Sequence, residues 1–211
     1  MYWKIAAVLG LSAAAVTLVE YFLYLQRLKL KEVEKLRALE RVIFFDDTLQ
    51  NCREHLTTEN SCGDSCSFKK LSYLIARIDD CLSTLDLCMF LMTCHNLSSA
   101  LARAVERGVK VRMLYDHDMA GNTHNYGCQI RWLRRHGVEV RTRPYAHHMH
   151  HKFVVLDGRL AITGSANWTL QAFCGNWENV VVTADPRLVH QFADTFQELW
   201  DMFTEALPES A

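Results

Sequence analysis

Apolar and polar positions divide the chain into one long apolar stretch near its start and many short segments after it. Residues 5–25 contain 21 positions of which only Glu20 is charged, and this is the length of one helix that spans a bilayer. Further on, apolar side chains recur at every third or fourth position, which predicts amphipathic helices. These helices cover residues 26–41, 68–82, 98–107, 128–136 and 186–205. The last one has an apolar stripe that we expect to face the core, formed by Leu188, Phe192, Phe196, Leu199 and Phe203.

Short apolar runs rich in β-branched and aromatic residues alternate with these helices and predict strands. The strands cover residues 42–45, 85–90, 109–115, 138–143, 153–156, 160–163 and 180–183. The pair Asp157-Gly158 predicts a tight turn that joins two of them as a hairpin. This alternation indicates an α/β domain, a mixed β-sheet flanked by helices, preceded by one transmembrane helix.

Charges around the apolar stretch predict its orientation. Lys4 precedes the stretch, whereas five basic residues follow it closely: Arg27, Lys29, Lys31, Lys35 and Arg37. Because basic residues stay on the cytosolic side of a span, the rest of the chain is expected in the cytosol. We therefore predict a transmembrane anchor over residues 1–26, a basic juxtamembrane helix over 27–41 and a folded domain over 42–211.

Two other interpretations of the apolar stretch are weaker. In a cleaved signal peptide the basic residues would precede the apolar run, and a clear cleavage site would close it. In a buried core helix the apolar residues would be confined to one face, which they are not.

Charge is distributed unevenly, although the whole chain carries a net charge of only −1. Residues 97–152 contain ten lysines and arginines against four acids, a net charge of +6, and residues 176–211 carry −6. Seven of the ten histidines also lie between His117 and His151. A basic segment of this kind favours an anionic substrate, although single basic side chains also serve as solvated helix faces.

Four potential metal ligands stand close together in a polar segment: Cys52, His55, Cys62 and Cys66. Three thiolates and one imidazole are a tetrahedral ligand set for structural zinc, so we predict a zinc-binding element at residues 52–66. Disulfides are a weaker alternative in the cytosol, and unliganded surface residues are another. Three further cysteines stand among apolar residues and are expected in the core: Cys81, Cys88 and Cys94.

The residues with the clearest chemical character concentrate in residues 147–169. In chain order they are His150, Lys152, Asp157, Gly164, Ser165 and Asn167. Side chains alternate between the two faces of a strand, so His150 and Lys152 share one face. This pairing suits a phosphoryl centre, because the ammonium binds phosphate oxygens and neutral imidazole is a nucleophile or acid/base near pH 7. Ser165 and Asn167 add uncharged donors.

Two other polar groups are open to a metal-binding interpretation. The histidines at 147, 148, 150 and 151 would have to converge on one ion, yet strand alternation divides them into two pairs on opposite faces. Asp116, His117 and Asp118 follow a predicted strand, and we favour a strand-end turn or a substrate rim over a metal or acid/base site.

Residues 147–169 resemble the HKD motif of the phospholipase D superfamily, and the match extends through Asn176, Glu178 and Asn179. The resemblance covers about residues 75–200. It implies a phospholipase D-like fold and a two-step transfer at a phosphodiester, in which one histidine attacks phosphorus and a second protonates the leaving oxygen. It also implies that catalysis needs no metal ion.

The resemblance implies particular roles within the motif. His150 would be the nucleophile, with its imidazole oriented by Glu178. Lys152 and Asn167 would bind phosphate oxygens, with support from Ser165. Asp157 belongs to the catalytic motif as well, but strand alternation puts it on the face opposite His150 and gives it an indirect role.

Only one His-x-Lys pair occurs in the sequence, whereas the reaction of this superfamily uses two histidines. A two-fold dimer would bring two copies of His150 together. We therefore predict a homodimer with a composite active site.

A single motif with an N-terminal anchor and a Cys/His element resembles the mitochondrial branch of the superfamily. This implies an outer-membrane enzyme that faces the cytosol and cuts single-stranded RNA in the piRNA pathway. The basic segment favours such a polyanion. The alternative is hydrolysis of the anionic membrane lipid cardiolipin to phosphatidate. A non-catalytic RNA scaffold is a third hypothesis, against which the intact set of His150, Lys152 and Asn167 argues.

Overall fold

A computed structural model describes residues 2–46, 52–58, 61–121 and 127–203, with side chains from residue 15 onward except at 56 and 57. The chain separates into two compact units, Met1–Leu39 and Glu40–Ala211.

The N-terminal unit contains helix α1 (Tyr2–Arg37), one continuous helix of 36 residues that includes the predicted span. It ends before residue 41, the predicted end of the juxtamembrane helix, because Arg41 already belongs to the first strand. Residues 5–14 of the predicted span lie outside the residues whose side chains are described. Further along α1, large apolar side chains are exposed, for example Leu18 at 69% and Phe22 at 59%. Within the described parts of the chain, no helix combines the length and the apolarity needed to cross a bilayer.

The C-terminal unit alternates strands and helices. Its helices are α2 (His55–Thr58), α3 (Ser67–Asp79), α4 (His95–Glu106), α5 (His117–Gly121), α6 (Gly127–Arg135), α7 (Leu170–Cys174) and α8 (Pro186–Met202). Its strands are β1 (Arg41–Phe45), β2 (Thr84–Met89), β3 (Lys110–Tyr115), β4 (Glu139–Arg141), β5 (Lys152–Leu156), β6 (Leu160–Gly164) and β7 (Glu178–Thr183). Each element predicted for this unit is present, although residues 204 and 205 of the last predicted helix lie outside the described residues. The short helices α2, α5 and α7 are additional.

Among the described residues, the strands form one seven-stranded sheet in the order β1-β7-β6-β5-β2-β3-β4. Strands β2, β3 and β4 are parallel to one another, and the other neighbouring pairs are antiparallel. Parallel neighbours need crossover connections, and α4 and α6 lie within those connections. The predicted α/β class with a mixed sheet is confirmed.

Helix α8 covers one face of the sheet. It buries Val189, Phe196, Trp200 and Phe203 against strand residues such as Phe153. The predicted stripe is confirmed for Phe192, Phe196, Leu199 and Phe203, which belong to this cluster or pack against it. It is wrong for Leu188, which is 45% exposed.

Candidate active site

The candidate site lies at one edge of the sheet. The parallel strands β2 and β3 end at this edge, and β5 begins there because it runs antiparallel to β2. Met89 at the end of β2 is paired with Tyr115 on β3 and with Lys152 on β5. The residues that follow β2 and β3, Phe90 and Asp116, consequently lie beside the segment that carries the catalytic candidates.

His150 and Lys152 meet at this edge. Lys152 Nζ lies 3.2 Å from His150 Nδ1 and donates a hydrogen bond to the carbonyl oxygen of His150 at 2.9 Å. The two side chains are on the same side, as strand alternation predicts, although His150 itself precedes β5.

The surroundings of the pair keep the imidazole neutral. Burial lowers the pKa of His150 below its ordinary value of 6.5, and the positive charge of Lys152 lowers it further. Burial also lowers the pKa of the Lys152 ammonium, while the carboxylate of Glu178 opposes that shift. A neutral imidazole is the form that attacks phosphorus, so these shifts favour a nucleophilic role at pH 7.

The Glu178 carboxylate is hydrogen-bonded to two polar side chains near it. Its Oε2 accepts a short hydrogen bond from Ser165 Oγ, and its Oε1 accepts one from Asn176 Nδ2 at 3.0 Å. The contact expected between Glu178 and the His150 imidazole is not formed among the described residues. His150 Nδ1 faces Lys152 instead.

Close backbone packing at position 164 explains why the residue before Ser165 is a glycine. A Cβ at this position would clash with the carbonyl group of Asn179 and would lie 2.9 Å from the Cα of Val180. The close approach allows Ser165 N to donate to the Asn179 carbonyl at 3.0 Å, while Asn179 N donates to Ser165 Oγ at 3.1 Å. These bonds hold Ser165 next to Glu178.

Asn167 is fixed by its backbone, while its amide oxygen is left without a partner. Trp168 N donates to the Leu91 carbonyl at 3.0 Å, which ties this segment to the chain that follows β2. The Oδ1 atom of Asn167 is buried and has no hydrogen-bond partner among the described residues. Phosphate oxygens accept hydrogen bonds, so the proposed contact with phosphate would use the Nδ2 donor of this amide and not Oδ1.

Asp157 does not belong to this edge of the sheet. It lies at the opposite end of β5, where its carboxylate accepts hydrogen bonds from the backbone NH groups of Leu82, Ser83 and Thr84 at 2.9, 2.7 and 3.0 Å. These bonds tie the turn between β5 and β6 to the start of β2. These contacts favour a structural role for Asp157, in keeping with the indirect role that strand alternation predicts.

The remaining histidines of the segment have different neighbours. His147 packs against Tyr145, His151 packs against Phe153, and His148 Nδ1 lies 3.5 Å from Asp116 Oδ2. In the part of the chain that the structure describes, the four histidines form no converging ligand set, which argues against the metal-binding alternative.

Sequence reasoning missed one residue of the site. The Phe90 ring centroid lies 4.6 Å from that of His150, and the only available signal was its position at the end of an apolar strand. Asp116 forms the predicted strand-end turn, because its Oδ1 accepts hydrogen bonds from two backbone NH groups at the start of α5 at 3.1 Å.

Part of the basic segment is paired with acids within the C-terminal unit. Four of its ten cations form ion pairs among the described residues: Arg103 and Arg107 with Asp79, Lys110 with Glu139, and Arg112 with Asp86. Arg141 donates instead to the Trp200 carbonyl. Two acids outside the segment, Asp79 and Asp86, therefore offset part of the +6 charge of residues 97–152. This weakens the electrostatic argument for a long polyanion, because a charge count takes no account of pairing.

The predicted zinc ligands converge. The ligand atoms of Cys52, His55, Cys62 and Cys66 all lie within 4.8 Å of one another. Cys52 Sγ is 3.6 Å from Cys62 Sγ, and Cys66 Sγ is 3.4 Å from His55 Nδ1. Thiolates at about 2.3 Å around a tetrahedral zinc ion are separated by about 3.8 Å, so this spacing is suited to one ion. The cysteines expected in the core, Cys81, Cys88 and Cys94, are all buried.

A lysine beside a histidine of lowered pKa, at the edge of a mixed sheet, is an arrangement suited to binding and attacking a phosphodiester. The family described as cardiolipin synthase, PLD-like domain, matches residues 74–200, which include His150, Lys152, Asn167 and Glu178. The chain belongs to this phospholipase D-like family.

Curated relatives share most of the chain. A protein from Danio rerio named mitochondrial cardiolipin hydrolase is 37% identical over 206 residues, covering 94% of this chain and 88% of the relative. The protein of the same name from Homo sapiens is 40% identical over 143 residues, covering 67% of this chain and 55% of the relative.

Solved structures share the fold. The phospholipase D family member Nuc from Salmonella typhimurium aligns with a TM-score of 0.62 at 23% identity, covering 80% of this chain and 98% of that protein. NucT from Helicobacter pylori aligns with a TM-score of 0.63 at 19% identity, covering 79% and 99%.

Proposed function

We propose that this protein hydrolyses phosphodiesters through a covalent phosphohistidine at His150. The observation that carries the proposal is the 3.2 Å contact between His150 Nδ1 and Lys152 Nζ, which puts a nucleophile and a phosphate-binding cation in one place. Lys152 and Asn167 supply the charge and the hydrogen bonds that phosphate oxygens require, so the proposed reaction proceeds without a catalytic metal.

The first step forms a bond from His150 Nε2 to phosphorus and breaks the bond from phosphorus to the leaving oxygen. Before substrate binds, Nδ1 accepts from the Lys152 ammonium, so the neutral ring carries its proton on Nε2. Phosphate oxygens attract the ammonium away from Nδ1. Water then gives a proton to Nδ1 and takes the proton from Nε2, which frees the Nε2 lone pair for attack.

A second imidazole completes the reaction. In its protonated form it donates a proton to the leaving oxygen. In the next step it takes a proton from the water that attacks phosphorus, and the bond between phosphorus and nitrogen breaks to restore His150. Because the sequence has one His-x-Lys pair, we propose that this imidazole is His150 of a second subunit, in a homodimer whose two-fold axis passes through the site.

Cardiolipin is the substrate that we propose first. Relatives that align with nearly the whole chain are named mitochondrial cardiolipin hydrolase. Cardiolipin is an anionic phospholipid with two phosphodiesters, and hydrolysis of one of them yields phosphatidate and phosphatidylglycerol. The exposed position of His150 at the sheet edge is accessible to a phosphate at a membrane surface.

Single-stranded RNA is the second candidate. Tyr145 and Trp177 are 62% and 77% exposed, and they stand on the segments that carry His150 and Glu178. Exposed aromatic rings beside a phosphodiester site are suited to stack unpaired bases. Endonucleolytic cleavage in the piRNA pathway would follow from this activity.

The test gives the full chain three substrates separately: an aryl phosphodiester, phosphatidylcholine vesicles that contain cardiolipin, and end-labelled single-stranded RNA. We expect cleavage of the first two, and a loss of at least about 10³-fold in His150→Asn. Cleavage of RNA but not of lipid would select the second candidate. Full activity of His150→Asn would refute the nucleophile, and RNA binding without cleavage of any substrate would support a scaffold.

We further propose that the N-terminal helix attaches the enzyme to the mitochondrial outer membrane, with the C-terminal unit in the cytosol. Exposed apolar side chains on α1, such as Leu18 and Phe22, and the basic residues that follow them support this proposal. In isolated mitochondria the full chain should resist alkaline extraction while external protease removes its C-terminal unit. Extraction of the full chain at alkaline pH would contradict the anchor.

We propose that Cys52, His55, Cys62 and Cys66 hold a structural zinc ion. The element that they form is connected to α7, since Arg53 donates to Gln171 Oε1 at 3.0 Å and Ser67 Oγ donates to the Phe173 carbonyl at 2.7 Å. Helix α7 follows Asn167 closely in the chain, so zinc would stabilise the phosphate-binding segment from outside the site.

Metal analysis tests the zinc proposal. We expect about one zinc per wild-type chain, and loss of zinc with a lower unfolding temperature in Cys62→Ser. Cys128→Ser replaces another exposed cysteine outside the cluster and should retain the ion. A wild-type protein without zinc after purification in zinc-containing buffer would refute the site.

A further inference from the structure

Phe90 and Asp116 are the first residues after β2 and β3. The residues before them, Met89 and Tyr115, are paired in the sheet. Both side chains therefore start at the edge where His150 lies, although neither belongs to the HKD motif.

The Phe90 ring contacts the catalytic pair. Its centroid is 4.6 Å from that of the His150 ring and 5.2 Å from that of His148, and Lys152 Nζ lies 5.2 Å from the same ring. One aromatic surface that touches an imidazole and an ammonium fixes their relative position through packing and cation–π attraction. The ring also excludes water from one side of both groups.

Asp116 acts on the backbone next to His150. It is 2% exposed, and its Oδ2 accepts a hydrogen bond from the backbone NH of Met149 at 2.9 Å. Its Oδ1 is held by the start of α5. The carboxylate consequently connects the end of β3 to the residue immediately before His150.

We infer that Phe90 and Asp116 are positioning residues that hold His150 and Lys152 in their reactive arrangement, Phe90 through its ring and Asp116 through the backbone of Met149. The inference rests on the proposed role of His150 as nucleophile. It assigns a function to the two strand ends that flank the motif.

Phe90 and Asp116 are expected to shift the pKa of His150 in opposite directions. The Asp116 carboxylate raises this pKa, whereas nearby Lys152, His148 and His151 lower it. Loss of the Phe90 ring would admit water and raise this pKa, while loss of the Asp116 charge would lower it. Since the attacking imidazole is neutral, the acidic limb of kcat/KM follows the pKa of His150.

The Phe90 arm of the test compares Phe90→Ala, Phe90→Leu and Phe90→Tyr in the full chain with an aryl phosphodiester. We expect kcat to fall about 10- to 100-fold in the first two, since small misplacement of reacting groups costs rates of this order. The acidic limb should move to higher pH, and Phe90→Tyr should restore most of kcat because it keeps the ring. Wild-type kcat in Phe90→Leu would overturn the role of the ring.

The Asp116 arm compares Asp116→Asn with Asp118→Asn, which removes a neighbouring acid of the same charge. We expect a lower kcat and an acidic limb moved to lower pH in Asp116→Asn only. If Asp116→Asn fails to fold, the titration of His150 in the Phe90 variants, followed by NMR, still tests the Phe90 half of the inference. An unchanged His150 titration in Phe90→Ala would overturn it.

Failure of the inference is distinguishable from failure of the proposed function. Wild-type activity that survives in His150→Asn refutes the nucleophile. Activity that is lost in His150→Asn but unaffected in the Phe90 and Asp116 variants refutes only the positioning role.

Discussion

Lys152 holds its ammonium group between an imidazole and an aromatic ring. Nζ lies 3.2 Å from His150 Nδ1 and 5.2 Å from the Phe90 ring centroid, and the carboxylate of Glu178 is close enough to oppose the lowering of its pKa. An ammonium in this position can move its hydrogen bonds from the imidazole to a phosphate without leaving the site. In the proposed mechanism, the same side chain both prepares the nucleophile and binds the substrate.

Asp157 stabilises the domain from the far end of the same strand. Burial by itself would raise the pKa of Asp157, but hydrogen bonds from Leu82, Thr84 and Ser83 lower it from 3.8 to about 2. A lowered pKa means that the stabilisation is present above pH 3.8 and is lost as the pH falls through about 2.

We predict that Asp157→Ala lowers the free energy of unfolding by about 2 kcal/mol at pH 7 while kcat of the folded enzyme stays close to wild type. Asp157→Asn should lose less, because asparagine tolerates the positive φ of 53° at this position. Denaturant unfolding at pH 7 and at pH 3 measures both effects, and the difference from wild type should shrink at pH 3. A large loss of kcat with unchanged stability would contradict the structural role.

At the level of elements, the approach of β6 to β7 sets the position of Ser165 and Glu178. The strands touch most closely at Gly164, opposite Val180 in the sheet register. Any side chain at this position must displace backbone atoms, since no flexible side chain is available to move aside. The register at the active-site edge therefore depends on one glycine.

We predict that Gly164→Ala lowers the free energy of unfolding by about 2 kcal/mol and also lowers kcat, because separation of the strands moves Glu178. Gly121→Ala is a matched control, since a Cβ there would meet no atom within 4 Å. Thermal unfolding and aryl phosphodiester kinetics measure the two effects. Wild-type behaviour of Gly164→Ala would show that β6 and β7 are not held as closely as described.

At the level of the whole molecule, one His-x-Lys pair per chain makes the proposed site incomplete in a monomer. Two identical imidazoles across a two-fold axis would titrate as a coupled pair, one neutral and one protonated in the reactive state. The two apparent pKa values read from the bell-shaped pH profile of such a site therefore describe the pair of imidazoles and not either one alone.

We predict that mixing equal amounts of wild type and His150→Asn, with subunit exchange, leaves about a quarter of the wild-type activity per total chain, because only dimers with two histidines react. Independent sites would leave about half. Activity measured against mixing ratio distinguishes a quadratic from a linear dependence. Lys110→Ala is a suitable control partner, since Lys110 pairs with Glu139 on neighbouring strands of the sheet.

Local rules were sufficient for part of the site. Strand alternation brought His150 and Lys152 to one side because both lie within three residues of one segment. Phe90 lies sixty residues earlier, and it reaches His150 only because β2 pairs with β3 and β5. Asp157 shows the same limit, since alternation predicted only its face and could not reveal that it lies beyond the far end of β5, hydrogen-bonded to residues 82–84.

The sequence by itself determined the α/β class, the order of the main helices and strands, and the His-Lys pair, because these follow from periodicity and from contacts between close neighbours in the chain. Only the tertiary structure decided that Trp200 and not Leu188 is buried on α8, which arginines pair with acids, and where Asp157 and Phe90 lie. Each of these depends on strand pairing or packing between distant segments, which no local pattern encodes.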